Sequence, residues 1–344
     1  MNKKITIKNV AQAANVSVAT VSHVLNNYPD ISEKTKRKVN QVVERLGYSP
    51  NIAARSLAYK KQKTIALILN EIDISKKVSL PAEVSLGVFD FCDEIAAQYV
   101  FYATTLKEQK EKSFKQFCQE HNITGAVVQG LKITDPYYEE IQSTDFPTVL
   151  IDLENNNPRI GSIGIDNRAA GMEITDFLID NGHRQIGMIN GSKYASVSLQ
   201  RQLGYQDALT KHGISINKEL VEFADFSESL AYEKTKRLLS LHPEITAIFS
   251  ASDLMALGVI KAAKELGRVL PKDLSVFAFD NIAVSEFLFP SLSTVEQNMR
   301  GVAYQAAKLL DDIIDNNHDH SWNVKSDYEL VIRESVIHRF KTIS

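Results

Sequence analysis

Cysteine is nearly absent. Cys92 and Cys118 are the only two in 344 residues, too few for a disulfide framework and lacking the spacing of a metal site. They read as small apolar side chains in a reducing compartment. No apolar run approaches the ~18 residues that would cross a bilayer. The opening stretch, Met1 to Lys8, lacks the apolar core of a signal peptide, so a cytoplasmic protein without membrane contact is expected. Glycine-rich nucleotide loops, the nucleophile elbow and the His-Glu-x-x-His zinc signature are also missing. No nucleophile or base comes with an orienting partner, so no enzyme, no catalytic residue and no cofactor are expected. His318-Asp319-His320 comes nearest to a metal site, but it sits in a polar stretch without further ligands and reads as solvated loop. A content of 44% hydrophobic and 24% charged residues excludes a disordered chain or a fibre, and the length suggests two or three domains.

Net charge is small, −3, but it is unevenly distributed. Residues 1–63 hold twelve Lys/Arg and three Asp/Glu, a formal +9, while the remaining 281 residues hold 27 basic and 39 acidic groups, −12. A basic head on an acidic body implies that only the head meets a polyanion.

The head reads as three short helices. Val10, Ala11 and Ala14 share one helical face, and Asn15-Val16 breaks the pattern. Ser17 suits the N-cap of a second helix, residues 18–25, with Val21, Val24 and Leu25 facing inward. Ser32 caps a third, whose Val39, Val42, Val43 and Leu46 form an apolar stripe closed by Gly47. Two helices joined by a short turn make a helix-turn-helix, whose second helix enters the major groove N-terminal end first. The residue types fit that task. Ser17, Thr20 and Ser22 offer hydroxyls to phosphates, Val18 and Ala19 offer methyl contacts to thymine, and His23 and Asn26 reach further. Lys8, Lys34, Lys36, Arg37 and Lys38 add charge. Residues 51–58 are helix-prone after Pro50, with Asn51 as cap, but too short for an independent helix, and 60–63 form a basic linker.

From residue 64 short apolar runs alternate with amphipathic stretches. Strands are expected at 64–69, 99–105, 125–129, 148–152, 162–166, 185–190, 221–224, 247–251, 275–280 and 294–296, with helices such as 169–181, 200–212, 230–241 and 256–266 between them. Such alternation predicts parallel, doubly wound sheets, here in two lobes. Ligands of such sheets sit outside the carboxyl ends of strands. Polar residues stand at those ends: Asp280 with Asn281, Ser252 with Asp253, Asn190 and Gln297, with Arg201 near the start of the helix after Asn190. A carboxylate, a guanidinium and an amide converging on a cleft suit a sugar or a purine. Asp253 and Ser252 have a competing use as caps of the following helix, and Arg201 as a surface ion pair.

The string Ile7-Lys8-Asn9-Val10-Ala11, then Val16 to Asn26, then Ser32, Thr35 and Leu46 to Asn51, and finally Ala53-Ala54-Arg55-Ser56-Leu57, resembles the head of the lactose-repressor (LacI/GalR) family. His23 departs from the family's usual arginine, and a neutral imidazole cannot make the bidentate contact to guanine that arginine makes. The resemblance adds Ile7, Thr35, Tyr48 and Asn51 to the DNA-contacting set. It also implies that hinge segments of a dimer pair over the operator centre, with Leu57 wedged into the minor groove beside Ala54 and Arg55. In the body it implies a regulatory domain like periplasmic sugar-binding proteins, with effector contacts at Ser252, Asp280, Gln297 and Arg201. Asn155 stands where some members have an effector-binding Asp, and Leu199 where sugar-binding members commonly carry a second Arg. The expected architecture is a small all-α helix-turn-helix head at 1–50, a hinge and linker at 51–63, and an α/β body at 64–340. Its two lobes are expected at 64–161 with 292–322 and at 162–291 with 323–340. The expected function is a ligand-responsive repressor that binds double-stranded DNA at a palindromic operator as a homodimer, with a sugar or related effector in the cleft. With four residues after Phe340, no heptad tail like the one that makes some relatives tetramers is expected. The alternatives are a global regulator whose body binds a partner protein, or a sugar-binding module with secondary DNA binding.

Overall fold

The structure, a computed structural model, describes residues 5–25, 31–48, 62–70, 80–315 and 322–339. The chain forms two compact units that meet between Gln62 and Lys63. The first contains α1 (Ile7–Ala14), α2 (Val18–Leu25) and α3 (Glu33–Leu46). Each boundary has a local cause. Asn9 Oδ1 accepts from Thr6 N at 2.9 Å at the start of α1, and Asn15 turns left-handed (φ 49°) at its end. Ser17 Oγ accepts from Thr20 N at 3.0 Å, Ser32 caps α3 through Thr35 N, and Gly47 (φ 59°) stops α3. Val10, Ala11, Ala14, Val21, Val24, Val39 and Val42 form the buried core, with Leu25, Val43, Leu46, Ile7 and Tyr48 packed partly against it.

The second unit runs β1 (Thr64–Asn70), α4 (Leu80–Glu94), β2 (Gln98–Thr104), α5 (Leu106–Glu111), α6 (Phe114–Glu120), β3 (Gly125–Gln129), α7 (Pro136–Ile141), β4 (Thr148–Ile151) and β5 (Gly161–Ile165). It continues through α8 (Asn167–Asp180), β6 (Ile186–Asn190), α9 (Ser196–Lys211), β7 (Val221–Phe223), α10 (Glu228–Leu241), β8 (Ala247–Ser250), α11 (Asp253–Glu265) and β9 (Ser275–Phe277). It ends with β10 (Thr294–Glu296), α12 (Met299–Ile314), β11 (Asn323–Ser326) and β12 (Glu329–Val331).

Six strands form a parallel sheet in the order β11-β5-β4-β3-β1-β2, and four form a second in the order β7-β6-β8-β9. Strand alternation distributes the cores. Ile65, Leu67 and Leu69 meet α4 and α12 on one face of the first sheet, while Ala66 and Ile68 meet α6 and α7 on the other. In the second sheet Ile189, Ile248 and Val276 pack under α10 and α11, and Met188, Phe249 and Phe277 pack under α8 and α9. β10 pairs antiparallel with β12 beside the second sheet.

This pairing corrects the expected lobe boundaries. β5 and β11 were expected with the second lobe, but both belong to the first sheet, with Val149 paired to Gly161 and Asn323 to Ser162. Ile163 enters the first lobe's core and Ile165 the second's, so the chain changes lobe just after β5. It returns between β10 and α12, and changes again between β11 and β12.

Candidate functional site

In the head, Ser17, Val18 and Ala19 are exposed at the N-terminal end of α2, with Val18 at 42% exposure. Val21 and Val24 pin the opposite face into the core, so the fold leaves the outer face of α2 for contact with a partner. Thr20, Ser22 and His23 are half-buried along the same helix, and Ser17 Oγ lies 2.8 Å from Thr20 Oγ1. Lys8, Lys34, Arg37 and Lys38 are exposed around it. Ile7, Thr35 and Tyr48 are half-buried: Ile7 and Tyr48 also serve the core, and Thr35 also serves the cap of α3. Asn26, Asn51, Ala54, Arg55 and Leu57, with the rest of the hinge segment and His318-Asp319-His320, lie outside the described residues.

In the body, strand ends of both lobes bring charge together. Arg201 on α9 is 3% exposed. Its Nε donates to Asn167 Oδ1 at 2.8 Å, its Nη1 donates to the Ala251 carbonyl at 2.6 Å, and its guanidinium lies 3.5 Å from the centre of the Phe279 ring. It is therefore no surface ion pair. The close crossing of α8 and α9 sets its position: a Cβ on Gly171 would lie 2.5 Å from the Arg201 carbonyl oxygen. Arg201 lies within electrostatic reach of Asp280 and Asp152.

Asp280 follows β9 in an unusual backbone conformation (φ 110°), and its Oδ1 accepts from Gln297 Nε2 at 2.7 Å. Desolvation raises its carboxyl well above the usual range, against the pull of Arg201. Gln297, 3% exposed, keeps Oε1 buried without a hydrogen-bond partner among the described residues. Asp152 at the end of β4 is also left-handed (φ 59°). Desolvation pushes its carboxyl up to about 6, opposed by Arg201 and a hydrogen bond with Gln129. Beside it, a hollow of about 400 Å³ opens between the lobes, lined by Asp152, Asn155, Asn167, Gln200 and Lys325 among others. Asp280 and Gln297 are not part of that lining. The hollow joins the charge cluster at Asp152 and, through the Arg201 hydrogen bond, at Asn167.

Three of the expected residues have hydrogen-bond partners within the chain. Asp253 is fully buried and has no lone oxygen for a ligand: Oδ2 accepts from Ile282 N at 3.0 Å and Ser285 Oγ at 2.5 Å, and Oδ1 from Thr294 Oγ1 at 2.7 Å. It fastens the 282–294 segment to the start of α11. Ser252 caps that helix, its Oγ accepting from Met255 N at 3.2 Å. Asn155 lines the hollow, yet its amide closes its own loop, accepting from Asn157 N at 2.9 Å and donating to the Ile160 carbonyl. The acid that faces Arg201 from the first lobe is Asp152.

Sequence pattern passed over Asp152, Gln129 and Asn167. Asp152 carried a usable signal, since it ends the run Val149-Leu150-Ile151 as Asp280 ends Phe277-Ala278-Phe279.

Comparison with known proteins agrees with both halves. The model of bacterial regulatory proteins of the lacI family matches residues 6–51, and a periplasmic binding protein-like domain matches residues 175–336. Catabolite control protein A of Priestia megaterium is 32% identical over 337 residues, covering 96% of this chain and 99% of that protein. The HTH-type transcriptional repressor PurR of Photobacterium profundum is 31% identical, covering 96% and 98%. A lac repressor dimer bound to operator and the anti-inducer ONPF superposes with a TM-score of 0.86 at 25% identity, covering 97% of this chain and 100% of that one. A complex of the transcriptional regulator CelR with cellobiose gives 0.73 at 27% identity, covering 96% and 99%. Such relatives are transcriptional regulators, and among the described residues no helix is long and apolar enough to cross a membrane. With a matching head, a matching body and relatives above 30% identity along nearly its whole length, the chain belongs to the lacI family of bacterial regulatory proteins.

Proposed function

We propose that the chain is a ligand-responsive transcriptional repressor that binds a two-fold symmetric DNA operator as a homodimer and holds a sugar or related small molecule between its lobes. The observation that carries the reading is the pairing, in one chain, of an exposed α2 N-terminus on a +9 head with a buried Arg201 flanked by Asp152 and Asp280. One three-helix head offers few base contacts, and a two-fold pair doubles them on matched half-sites. The sugar is suggested by the site's chemistry and by the cellobiose complex of the CelR relative. A non-enzymatic, cytoplasmic role is part of the same proposal.

Two exposed apolar surfaces of the body support the homodimer. Phe287 and Phe289 are 79% and 88% exposed beside a hollow of about 690 Å³ lined by Val269, Leu270, Pro271 and Pro290. Leu86 and Phe89 on α4 and Phe101 on β2 are exposed at the open edge of the first sheet.

The test is selection of duplexes from random DNA by the full chain, followed by affinity measurements across salt. A palindromic consensus whose affinity falls about a thousandfold between 50 and 200 mM salt is expected of a head that neutralises several phosphates. Recovery of no sequence preference would overturn the reading.

A further inference from the structure

In sequence Lys63 closes the basic run 60–63, where it reads as one more cation for DNA. The fold gives it a different setting. Lys63 Nζ lies 2.6 Å from Asp311 Oδ1 and 2.8 Å from Asp315 Oδ2, two acids one turn apart at the C-terminal end of α12. The Lys63 and Asp311 side chains are only 25% and 22% exposed, so solvent screens this pair incompletely. One ammonium held by two carboxylates carries a net negative charge and offers nothing to a phosphate.

The clamp sits where the body begins. The Lys63 carbonyl accepts from Gln98 N at 2.9 Å, and Thr64 N donates to Thr124 Oγ1 at 3.0 Å, so the backbone is fastened to the first lobe from residue 63 onward. The Lys63 side chain adds a further tie, to α12, at the boundary between the two compact units. α12 cannot give way locally. A Cβ on Gly125 would lie 2.8 Å from Ile314, and one on Gly161 3.0 Å from Leu309, so this half of the helix rests directly on β3 and β5.

We infer that Lys63 is a positioning residue for operator binding: clamped by Asp311 and Asp315, it fixes where and in which direction the linker leaves the body, and it makes no phosphate contact itself. This deepens the proposed function and rests on its DNA-binding half. A linker whose exit is already fixed loses less freedom when the head docks, so the two acids, although negative, favour DNA binding. Charge alone gives them the opposite sign, since removing an anion and releasing a cation strengthens association with DNA.

The experiment measures the affinity of the full chain for its selected operator between 50 and 200 mM salt. Lys63→Met and Asp311→Asn should each weaken binding about tenfold in a dimer that carries two clamps, with the slope of log affinity against log salt unchanged. The double variant should be no weaker than either single one, because both break the same clamp; losses that simply add would overturn the inference. A salt slope reduced by about one phosphate contact per protomer in Lys63→Met would make Lys63 a DNA cation and overturn it too. So would Asp311→Asn binding as tightly as wild type, or more tightly. Partly exposed ion pairs contribute little to folding, so the variants should melt within about 2 °C of wild type without DNA. Should either melt lower, Asp315→Asn, at the acid that is 58% exposed, carries the same test with an expected loss of about threefold. A wild-type chain that selects no operator removes the proposed function and the clamp with it, whereas variants that bind as well as an operator-binding wild type remove the clamp alone.

Discussion

Asp152 and Asp280 share two properties that a stability-optimised chain would avoid: positive φ on a residue with a side chain, and a carboxyl desolvated beside other carboxyls. Each costs free energy, and both features recur at functional sites. Asp253 is a third buried acid with a different role, because its oxygens are consumed by the chain itself. Asp253→Ala should therefore cost about 2–4 kcal/mol of stability by stranding two buried hydroxyls and the half-buried Ile282 N–H, measured by urea unfolding; an unaltered midpoint would contradict that role. Asp280→Ala, by contrast, should abolish the ligand-induced thermal shift. His183 gives a pH prediction. Burial lowers its pKa from 6.5 to about 4, so between those values the unfolded chain binds the proton and the folded chain does not. Stability therefore falls as pH drops from 6.5 to 4. Asp152 and Asp253, raised to about 6, oppose it, because their penalty is relieved over nearly the same span. Comparing wild type with His183→Gln isolates the histidine: the wild type should lose up to about 3 kcal/mol relative to the variant over that range.

At the scale of elements, caps decide where helices begin. Ser32 fixes α3 through Thr35 N, so Ser32→Ala should destabilise the head by about 1 kcal/mol and lower its melting temperature without touching the body. Caps also explain how much was legible in advance. Apolar periodicity located α8 to α11, but each starts two to four residues before its apolar stripe, after the capping side chains of Asp166, Ser227 and Ser252 in α8, α10 and α11, and after Ala195, which offers no side-chain cap, in α9. The three head helices could be read almost to the residue because Ser17, Ser32 and Gly47 are local signals. The lobe assignment could not. Which sheet receives β5 depends on pairing with β4 across a loop, and β11 reaches that sheet from far along the chain. Asp280 was visible as a polar residue at a strand end, and Arg201 near the start of a helix. Asp253 looked identical in sequence, and only the fold reveals three donors around it.

For the whole molecule, the charge division and the exposed phenylalanines make separable predictions. Phe289→Asp should leave the body folded but shift sedimentation toward monomer, and operator affinity should fall with it because half-sites are then read singly. A dimer of unchanged strength would remove that surface from the interface. The three passages of chain between the lobes carry a further consequence, concerning synthesis. Neither lobe is a contiguous stretch, since the first sheet waits for β11 at Asn323–Ser326 and the second assembly for β12 at Glu329–Val331. On the ribosome the head can fold early, while the lobes complete together once the last sixth of the chain has emerged. A nascent chain stalled before that point would carry a DNA-binding head with no finished ligand sensor behind it.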